Sequence, residues 1–108
     1  MSVFGMRLKA ARLEAKLSQE QLGLLAGLEV ESASARMNRY ERGTRVPTVE
    51  LVERIGSVVN LPVSYFYAIE DEEAILVAAF HRMPKKEKQT LLAMALTLYP
   101  DNSTTRTS

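Results

Sequence analysis

The stretch from Leu17 to Pro47 most constrains what this chain can fold into, and residues 17–28 form its first part. Ser18 is a good N-cap, and Gln21, three residues later, completes a capping-box pattern that predicts the start of a helix. Gly27 can adopt the left-handed conformation that ends a helix. The segment therefore predicts one short helix closed by a glycine turn, with an inner face made of Leu22, Leu25 and Ala26.

A second helix follows closely and is predicted to begin near Ser32 and to end at Gly43. Its expected apolar stripe, at helical spacing, consists of Ala33, Met37 and Tyr40. Pro47 excludes a helical conformation for the residue before it, so a loop must follow this helix. Two short helices joined by a turn, the second with a basic outer face, can place one helix in a DNA groove while neighbouring residues bind phosphates.

The other segments also indicate helices, because none alternates apolar and polar residues as a half-buried strand does. The inner face of the first helix is expected to consist of Phe4, Leu8, Ala11 and Ala15, with Arg7, Lys9, Arg12 and Lys16 on the surface. A fourth helix, capped by Thr48 and ended by Asn60, should bury Val49, Val52, Ile55, Gly56 and Val59. Pro62 then opens a short fifth helix, in which Phe66 is the expected core residue.

The pattern changes after Glu70. Asp71, Glu72 and Glu73 favour a helix start by their charge, and Pro84 is suited to the first position of a last helix that runs to about Tyr99. Apolar residues cover more than one face of both helices. We therefore predict an all-α fold with a five-helix helix-turn-helix domain at residues 1–68, a helical hairpin at 69–100 and a disordered tail at 101–108.

Charge is distributed unevenly along the chain, although its net charge is only +1. Up to Val46 there are eight Lys/Arg residues against five Asp/Glu residues, a net charge of +3. Residues 47–83 carry two basic and six acidic groups, a net charge of −4, and from Pro84 onward there are four basic and two acidic groups, a net charge of +2. The basic excess lies in the segment with the predicted helix-turn-helix, which favours a nucleic-acid partner.

Three short motifs, Leu17–Gln19, Arg39–Gly43 and Pro47, resemble the lambda-repressor-like (Xre-type) helix-turn-helix family of bacterial and phage regulators. The resemblance covers about residues 4 to 67. It implies a five-helix domain whose third helix contacts DNA, and the segment beyond it does not belong to the motif.

The helix predicted to start near Ser32 has side chains that can contact base edges. Arg39 is the strongest candidate, because a guanidinium group can donate two hydrogen bonds to O6 and N7 of guanine. Ser34, Ala35 and Asn38 lie on the same side by helical spacing. Asparagine can pair with adenine, and alanine can contact the thymine methyl group. The resemblance further implies that DNA faces Ser34, Ala35, Arg36 and Arg39.

Residues on either side of this helix are expected to contact the phosphate backbone. Gln19 follows the N-cap of the second helix, where free N–H groups favour an anion. The resemblance implies that Gln19 binds the DNA backbone and steadies the third helix; the alternative is an exposed glutamine in a first turn. Arg42, Thr44 and Arg45, at the end of the third helix and in the loop after it, are expected to bind phosphates, which positions a protein without reading sequence.

The resemblance also implies a structural ion pair between Arg12 and Glu41, which would tie the first helix to the end of the third. The chain departs from the family pattern in two places. Gly23 stands where alanine is usual in the contact between the second and third helices. The stretch from Gly27 to Met37 is longer than the commonest spacing, which either adds a turn to the third helix or lengthens the turn before it.

Composition excludes several kinds of site. The chain has no cysteine, so it has no disulfide or thiolate metal site, and His81 is its only histidine, which excludes a multi-histidine metal centre. No nucleophile–base pair or phosphate-cradling glycine loop is apparent, so we expect no enzyme, no metal and no cofactor. Because no segment resembles a membrane span or a secretory signal, a cytoplasmic location is the simplest expectation.

These patterns predict a sequence-specific regulator of transcription, by default a repressor, that inserts the helix 32–42 into the major groove of a double-stranded DNA operator. The apolar faces of the last two helices must be buried, either against the domain or in a two-fold homodimer through residues 71–99. We expect the dimer, because two linked half-sites raise affinity. The alternative is a protein-interaction module of antitoxin type, in which these helices bind a partner protein and DNA binding is secondary.

Overall fold

The computed structural model describes residues 2–100. Its elements are α1 (Val3–Glu14), α2 (Gln19–Leu25), α3 (Ala33–Arg42), α4 (Val49–Val59), a 3-10 helix (Val63–Tyr67), α5 (Asp71–Arg82) and α6 (Lys85–Leu98). Within the described residues there is no strand, so the predicted all-α class is confirmed. The five-helix domain comprises α1 to α4 and the 3-10 helix, and we call α5 and α6 the C-terminal hairpin. The predicted disordered tail, 101–108, lies outside the described residues.

The helix ends follow the local signals in the sequence. The Ser18 hydroxyl accepts from the Gln21 amide at 3.0 Å, and the Gln21 side chain accepts from the Ser18 amide at 2.8 Å, which confirms the capping box. Gly27, with φ +98°, and Gly43, with φ +81°, take the left-handed conformation that ends α2 and α3. Asn60 does the same after α4 with φ 58°. Short-range chemistry thus determines these boundaries.

The long connection between α2 and α3 forms a turn and does not extend α3. The Glu29 carbonyl accepts from the Ser32 amide at 3.1 Å and from the Ala33 amide at 2.9 Å, and α3 begins only at Ala33. Gly23 brings α2 close to α3, since a Cβ atom added there would lie 2.9 Å from Cβ of Ala33. A glycine at this position therefore permits the close approach of the two helices.

The core lies between α1, α2, α3, α4 and the 3-10 helix, and Phe66 is completely buried in it. The predicted stripe of α3 is confirmed, as Ala33 and Met37 are fully buried and Tyr40 is nearly so. Three inner-face predictions were wrong. Ala15 is exposed, Leu25 is 62% exposed, and on α4 it is Leu51, not Val49, that enters the core. Helix α1 ends at Glu14, before Ala15, whereas Leu25 and Val49 lie at the margin of a stripe, where spacing alone does not determine burial.

Arg7 was predicted on the surface, and this prediction was wrong, because only 8% of the residue is exposed. Its Nε donates to the Ala68 carbonyl at 2.9 Å, and its two Nη atoms donate to Ile69 O at 3.1 Å and to Asp71 Oδ1 at 3.0 Å. A buried guanidinium is stable only when its donors are paired. Here two partners lie in the segment between the 3-10 helix and α5, and the third is the carboxylate of Asp71, the first residue of α5.

The C-terminal hairpin extends away from the five-helix domain. Ala74 is the only buried residue of α5, and α6 has none. The molecule measures 50 × 26 × 25 Å with a radius of gyration of 16.0 Å, against about 13 Å for a compact domain of about 100 residues. In the part of the chain that the structure describes, no helix has both the length and the apolar character needed to cross a membrane.

Candidate nucleic-acid interface

Helix α3 presents one face to the core and the opposite face to solvent. Its buried face consists of Ala33, Met37, Tyr40 and Glu41. Its exposed residues are Ser34, Ala35, Arg39 and Arg42. The separation follows from helical periodicity, because residues three and four apart share a face. The outer face is therefore polar and cationic, and no other part of the described chain covers it.

The structure places the remaining candidates around this face at different depths. Thr44 and Arg45 are exposed in the loop after α3, whereas the half-buried candidates are Arg12, Gln19, Ser32, Arg36 and Asn38. Ser32 is the N-cap residue of α3, but its side chain makes no capping hydrogen bond. Its hydroxyl is thus not committed to the helix start.

Thr44 closes the C-terminal end of α3. Its amide donates to the Arg39 carbonyl at 3.0 Å, and its hydroxyl donates to the same oxygen at 3.3 Å. The hydroxyl proton is thereby used within the chain, and a phosphate, which only accepts hydrogen bonds, could be bound by this group only if that contact broke. Thr44 is consequently a weaker candidate for phosphate binding than the arginines beside it.

Tyr40 holds Arg36 against the flank of α3. The Tyr40 hydroxyl accepts from Nη2 of Arg36 at 2.8 Å and from Nε at 3.3 Å. The centre of the guanidinium lies 5.9 Å from the centroid of the Tyr40 ring, within cation–π range. Because the two residues are one helical turn apart, the contact is local and orders a side chain that would otherwise have many rotamers.

Three arginines converge on one concavity beside α3. The concavity has a volume of about 350 Å³ and is lined by Arg36, Arg39, Tyr40, Arg45, Val46 and Thr48. Three guanidinium groups around one hollow favour an anion, and a planar guanidinium can bind a phosphate through two parallel hydrogen bonds. The tertiary fold thus assembles a cationic site from the end of α3 and the following loop.

A buried ion pair lies behind the exposed face. Arg12 Nε contacts Glu41 Oε2 at 2.6 Å, and Arg12 Nη2 donates to Glu41 Oε1 at 3.2 Å. The Glu41 side chain is only 4% exposed. Removal of one partner from such a pair leaves an uncompensated buried charge at a cost of about 3–5 kcal/mol. The pair joins α1 to the last turn of α3, and Arg12 also donates to the Leu17 carbonyl at 3.0 Å.

Gln19 extends this network to the start of α2. Its Nε2 donates to Glu41 Oε1 at 3.1 Å and to Asn38 Oδ1 at 3.3 Å. The amide of Gln19 therefore connects α2 to two successive turns of α3. The NH₂ group of Asn38 can still donate to a partner outside the chain, but its Oδ1 already accepts from Gln19. Asn38 could therefore pair with both edge atoms of adenine only if Gln19 moved.

Sequence reasoning missed Arg7, Arg82 and the hydroxyl of Tyr40 as structural determinants. A signal for the two arginines was present, since Arg7 lies three residues after Phe4 and four before Ala11, on the buried stripe. Arg82 similarly follows Ala74 and Ala78 at intervals of four. An arginine within an apolar stripe indicates buried acceptors, but the sequence does not identify which atoms accept.

Comparisons with known proteins agree with the helix-turn-helix geometry described above. A model of the helix-turn-helix domain family matches residues 3–64, more than half of the chain. Among solved structures, the crystal structure of transcriptional regulator BswR aligns with a TM-score of 0.80 at 41% sequence identity, covering 86% of this chain and 92% of that one. No functionally curated protein sequence matches the chain. On the extent of these matches, the chain belongs to the helix-turn-helix domain family.

Proposed function

We propose that the chain is a sequence-specific, double-stranded-DNA-binding transcriptional regulator of the lambda-repressor-like (Xre-type) kind, which inserts α3 into the major groove of its operator. The observation that carries this proposal is the uncovered outer face of α3 beside a hollow lined by three arginines. An α-helix fits the major groove, and arginines beside it bind phosphates. The similar protein BswR is a transcriptional regulator, which supports the same role here.

We assign base contacts and phosphate contacts according to the exposure and position of each side chain. Arg39, exposed in the middle of the outer face, is proposed to read guanine, with Ser34 and Ala35 contacting neighbouring base edges. Arg42 and Arg45, also exposed, are proposed to bind phosphates. Arg36 joins them, because Tyr40 holds it at the edge of the face and its remaining N–H groups suit a fixed anion.

Gln19, Arg12 and Glu41 are proposed to position α3 and not to read sequence. Their hydrogen bonds join α1, α2 and α3. A base contact demands placement of the helix to a fraction of an ångström. A network that ties the end of α3 to two other helices supplies that rigidity.

The C-terminal hairpin is proposed to form a two-fold homodimer through residues 71–99. Its exposed apolar residues include Ile75, Leu76, Phe80, Leu92, Met94, Leu96 and Leu98. A largely apolar groove of about 470 Å³ runs between α5 and α6, where Leu76 and Phe80 face Leu92 and Lys88. An apolar surface of this extent on a small domain indicates a protein interface.

The charge distribution favours a second copy of this chain as the partner that covers the apolar groove of the hairpin. The first turn of α5 is acidic, with Asp71, Glu72 and Glu73, whereas the start of α6 has three lysines, at 85, 86 and 88, against one acid, Glu87. In the proposed two-fold dimer, the basic α6 start of each copy would lie towards the acidic α5 start of the other.

Such a dimer would present two copies of α3 to two half-sites of a pseudo-palindromic operator, about 34–36 Å apart. Occupation of the operator would exclude polymerase, so repression is the proposed outcome. The rival function is an antitoxin-like module, for which the same apolar hairpin face is the observation in favour: a different protein would then cover it, and DNA binding would be secondary.

Selection of bound duplexes from a random DNA pool, followed by fluorescence anisotropy at two salt concentrations, tests the proposal. A sequence-specific DNA-binding protein should retain a preferred sequence. Its affinity should fall steeply as the salt concentration rises, because each neutralised phosphate releases counterions. Weak binding without sequence preference at low salt would contradict the proposal and favour the interaction module.

Arg39→Ala and Arg42→Ala form a matched pair for the proposed roles. Arg39→Ala should abolish preference at one position of each half-site, a loss of about 1–3 kcal/mol of discrimination. Arg42→Ala should weaken binding to all sequences equally and reduce the salt slope by about one. Anisotropy titrations against single-base operator variants distinguish the two patterns, and a uniform loss for Arg39→Ala would make Arg39 a phosphate contact.

A further inference from the structure

The C-terminal hairpin is joined to the five-helix domain by few apolar contacts. Ala74 is the only fully buried side chain of α5, and none of α6 is buried. Small apolar contacts of this kind are non-directional and tolerate rotation of one element against another. The direction in which the hairpin leaves the domain must therefore depend on other contacts, and two arginines supply them.

Arg82, in the last turn of α5, connects three elements through one guanidinium group. Its Nη1 and Nη2 donate to the two carboxylate oxygens of Glu14 on α1, at 3.1 and 3.0 Å. Its Nε donates to the Asn60 carbonyl, and its Nη2 also donates to the Val59 carbonyl, each at 3.0 Å. The last carbonyls of a helix lack partners within the helix and carry its negative dipole end, so this cation also completes α4.

Arg7 forms the equivalent connection at the other end of α5. From the middle of α1 it reaches the Ala68 and Ile69 carbonyls and the carboxylate of Asp71, the first residue of α5. A bidentate or multiply bonded guanidinium is directional, because its donors lie in one plane. Arg7 and Arg82 together hold both ends of α5 along α1, which defines the orientation of the hairpin in the absence of an extensive core.

We propose that Arg7 and Arg82 are positioning residues that determine the distance and angle between the two operator half-sites to which the homodimer binds. This inference rests on the proposed function, since it requires a dimer formed through the C-terminal hairpin that binds two half-sites. In that dimer the hairpin connects each α3 to the two-fold axis. The angle at the junction of α1 and α5 therefore converts directly into the separation of the two α3 helices.

The geometry of DNA makes this separation a determinant of specificity. One base pair inserted between half-sites moves the second half-site by about 3.4 Å along the axis and rotates it by about 35°. A rigid junction cannot follow that displacement, whereas a loosened junction can. Spacing preference is thus separable from base preference, which depends on the outer face of α3.

The test compares Arg82→Met with the wild-type chain on duplexes first selected by the wild-type protein from a random pool. Methionine retains the apolar stem of the arginine and removes all four hydrogen bonds. Anisotropy titrations would use the selected spacer and spacers lengthened by one and by two base pairs. The wild-type protein should lose affinity on the order of tenfold per inserted base pair, an effect comparable to a mismatched base pair. Arg82→Met should lose about threefold or less, because its junction can adjust at the modest cost typical of small domain motions.

Glu14→Ala and Lys9→Met serve as companion variants. Glu14→Ala leaves Arg82 on the Val59 and Asn60 carbonyls and should broaden the spacing profile by less than Arg82→Met. Lys9→Met removes the same charge as Arg82→Met from an exposed position on α1, outside the hairpin and the α3 face, and should leave the spacing profile unchanged. Circular dichroism and sedimentation would verify that each variant is a folded dimer.

A spacing profile for Arg82→Met identical to that of the wild-type protein would overturn the inference. An equal loss of affinity at every spacing, with the dimer intact, would also overturn it, since that is the result of a merely structural role. If the wild-type chain itself selects no DNA sequence, or sediments as a monomer while it binds DNA, the proposed function or the proposed dimer fails first and the inference fails with it.

Discussion

The five-helix domain and the C-terminal hairpin are both regular helical structures, yet they bury their apolar residues very differently. In the domain, Leu8, Leu22, Met37, Ile55 and Phe66 are completely buried. In the hairpin, residues of similar size such as Ile75, Leu92 and Leu98 remain exposed. Helix formation is local, whereas burial needs a partner surface. The helices of the domain bury their apolar faces against one another, whereas the apolar faces of the hairpin remain exposed.

The two regions also differ in how they are held. The domain relies on side-chain packing, reinforced behind α3 by the buried pair of Arg12 and Glu41. The hairpin relies on charged hydrogen bonds from Arg7 and Arg82 to helix ends and carboxylates. Packing gives the domain its stability, and directional bonds give the hairpin its orientation. The difference fits the proposed division between a domain that contacts DNA and a hairpin that positions that domain.

Removal of the hairpin should have the largest effect on binding. A chain that ends at Glu70 keeps the Ala68 and Ile69 carbonyls that Arg7 requires. We expect a folded monomer whose operator affinity is lower by about 10²–10⁴-fold, because linkage of two binding modules raises avidity by that factor. Circular dichroism, sedimentation and anisotropy would measure the three properties. Unchanged affinity in the truncated chain would show that one domain binds the operator alone.

A pair of leucine substitutions tests the difference in burial directly. Leu22→Ala should lower the free energy of unfolding by about 2–5 kcal/mol, as expected for a fully buried leucine. Leu92→Ala, at a residue 52% exposed on α6, should change it by no more than about 0.5 kcal/mol. Urea denaturation at a dilution where the chain is monomeric would measure both. Equal losses would mean that α6 packs against its own domain in solution.

The smallest expected effect is a pH dependence at the junction of α1 and α5. The hydrogen bond from Arg82 holds the pKa of the Glu14 carboxyl below its ordinary value, although the side chain is largely exposed. A lowered folded-state pKa means that the stabilisation is fully present above the unfolded pKa of about 4.3 and is lost as the pH falls through the folded value.

NMR titration of the Glu14 carboxyl in the wild-type chain and in Arg82→Met would measure this shift. The pKa should rise in the variant, because the hydrogen bond that favours the ionised carboxylate is gone. An identical Glu14 titration in both chains would mean that the contact with Arg82 is absent in solution.

Residues with short-range signals could be predicted well from the sequence. Ser18, Gln21, Gly27, Thr48 and Asn60 act within one turn of their own position, and the structure places the helix ends where they indicated. The stripe of α3 was also predictable, because it alternates clearly with polar residues. Leu25 and Val49 were assigned to the wrong side, since each lies at the margin of its stripe, where a small rotation of the helix decides burial.

The sequence by itself determined the helices, their ends and the face of α3 that carries its cationic residues, because these depend on capping chemistry and on a period of 3.6 residues. Only the tertiary structure decided that Arg36, Arg39 and Arg45 line one hollow, that Gln19 reaches Asn38 and Glu41, and that Arg7 and Arg82 hold α5 along α1. The contacts of Gln19, Arg7 and Arg82 join residues far apart in the chain. Their partners are in many cases backbone carbonyls, which every residue possesses and which the sequence therefore does not single out.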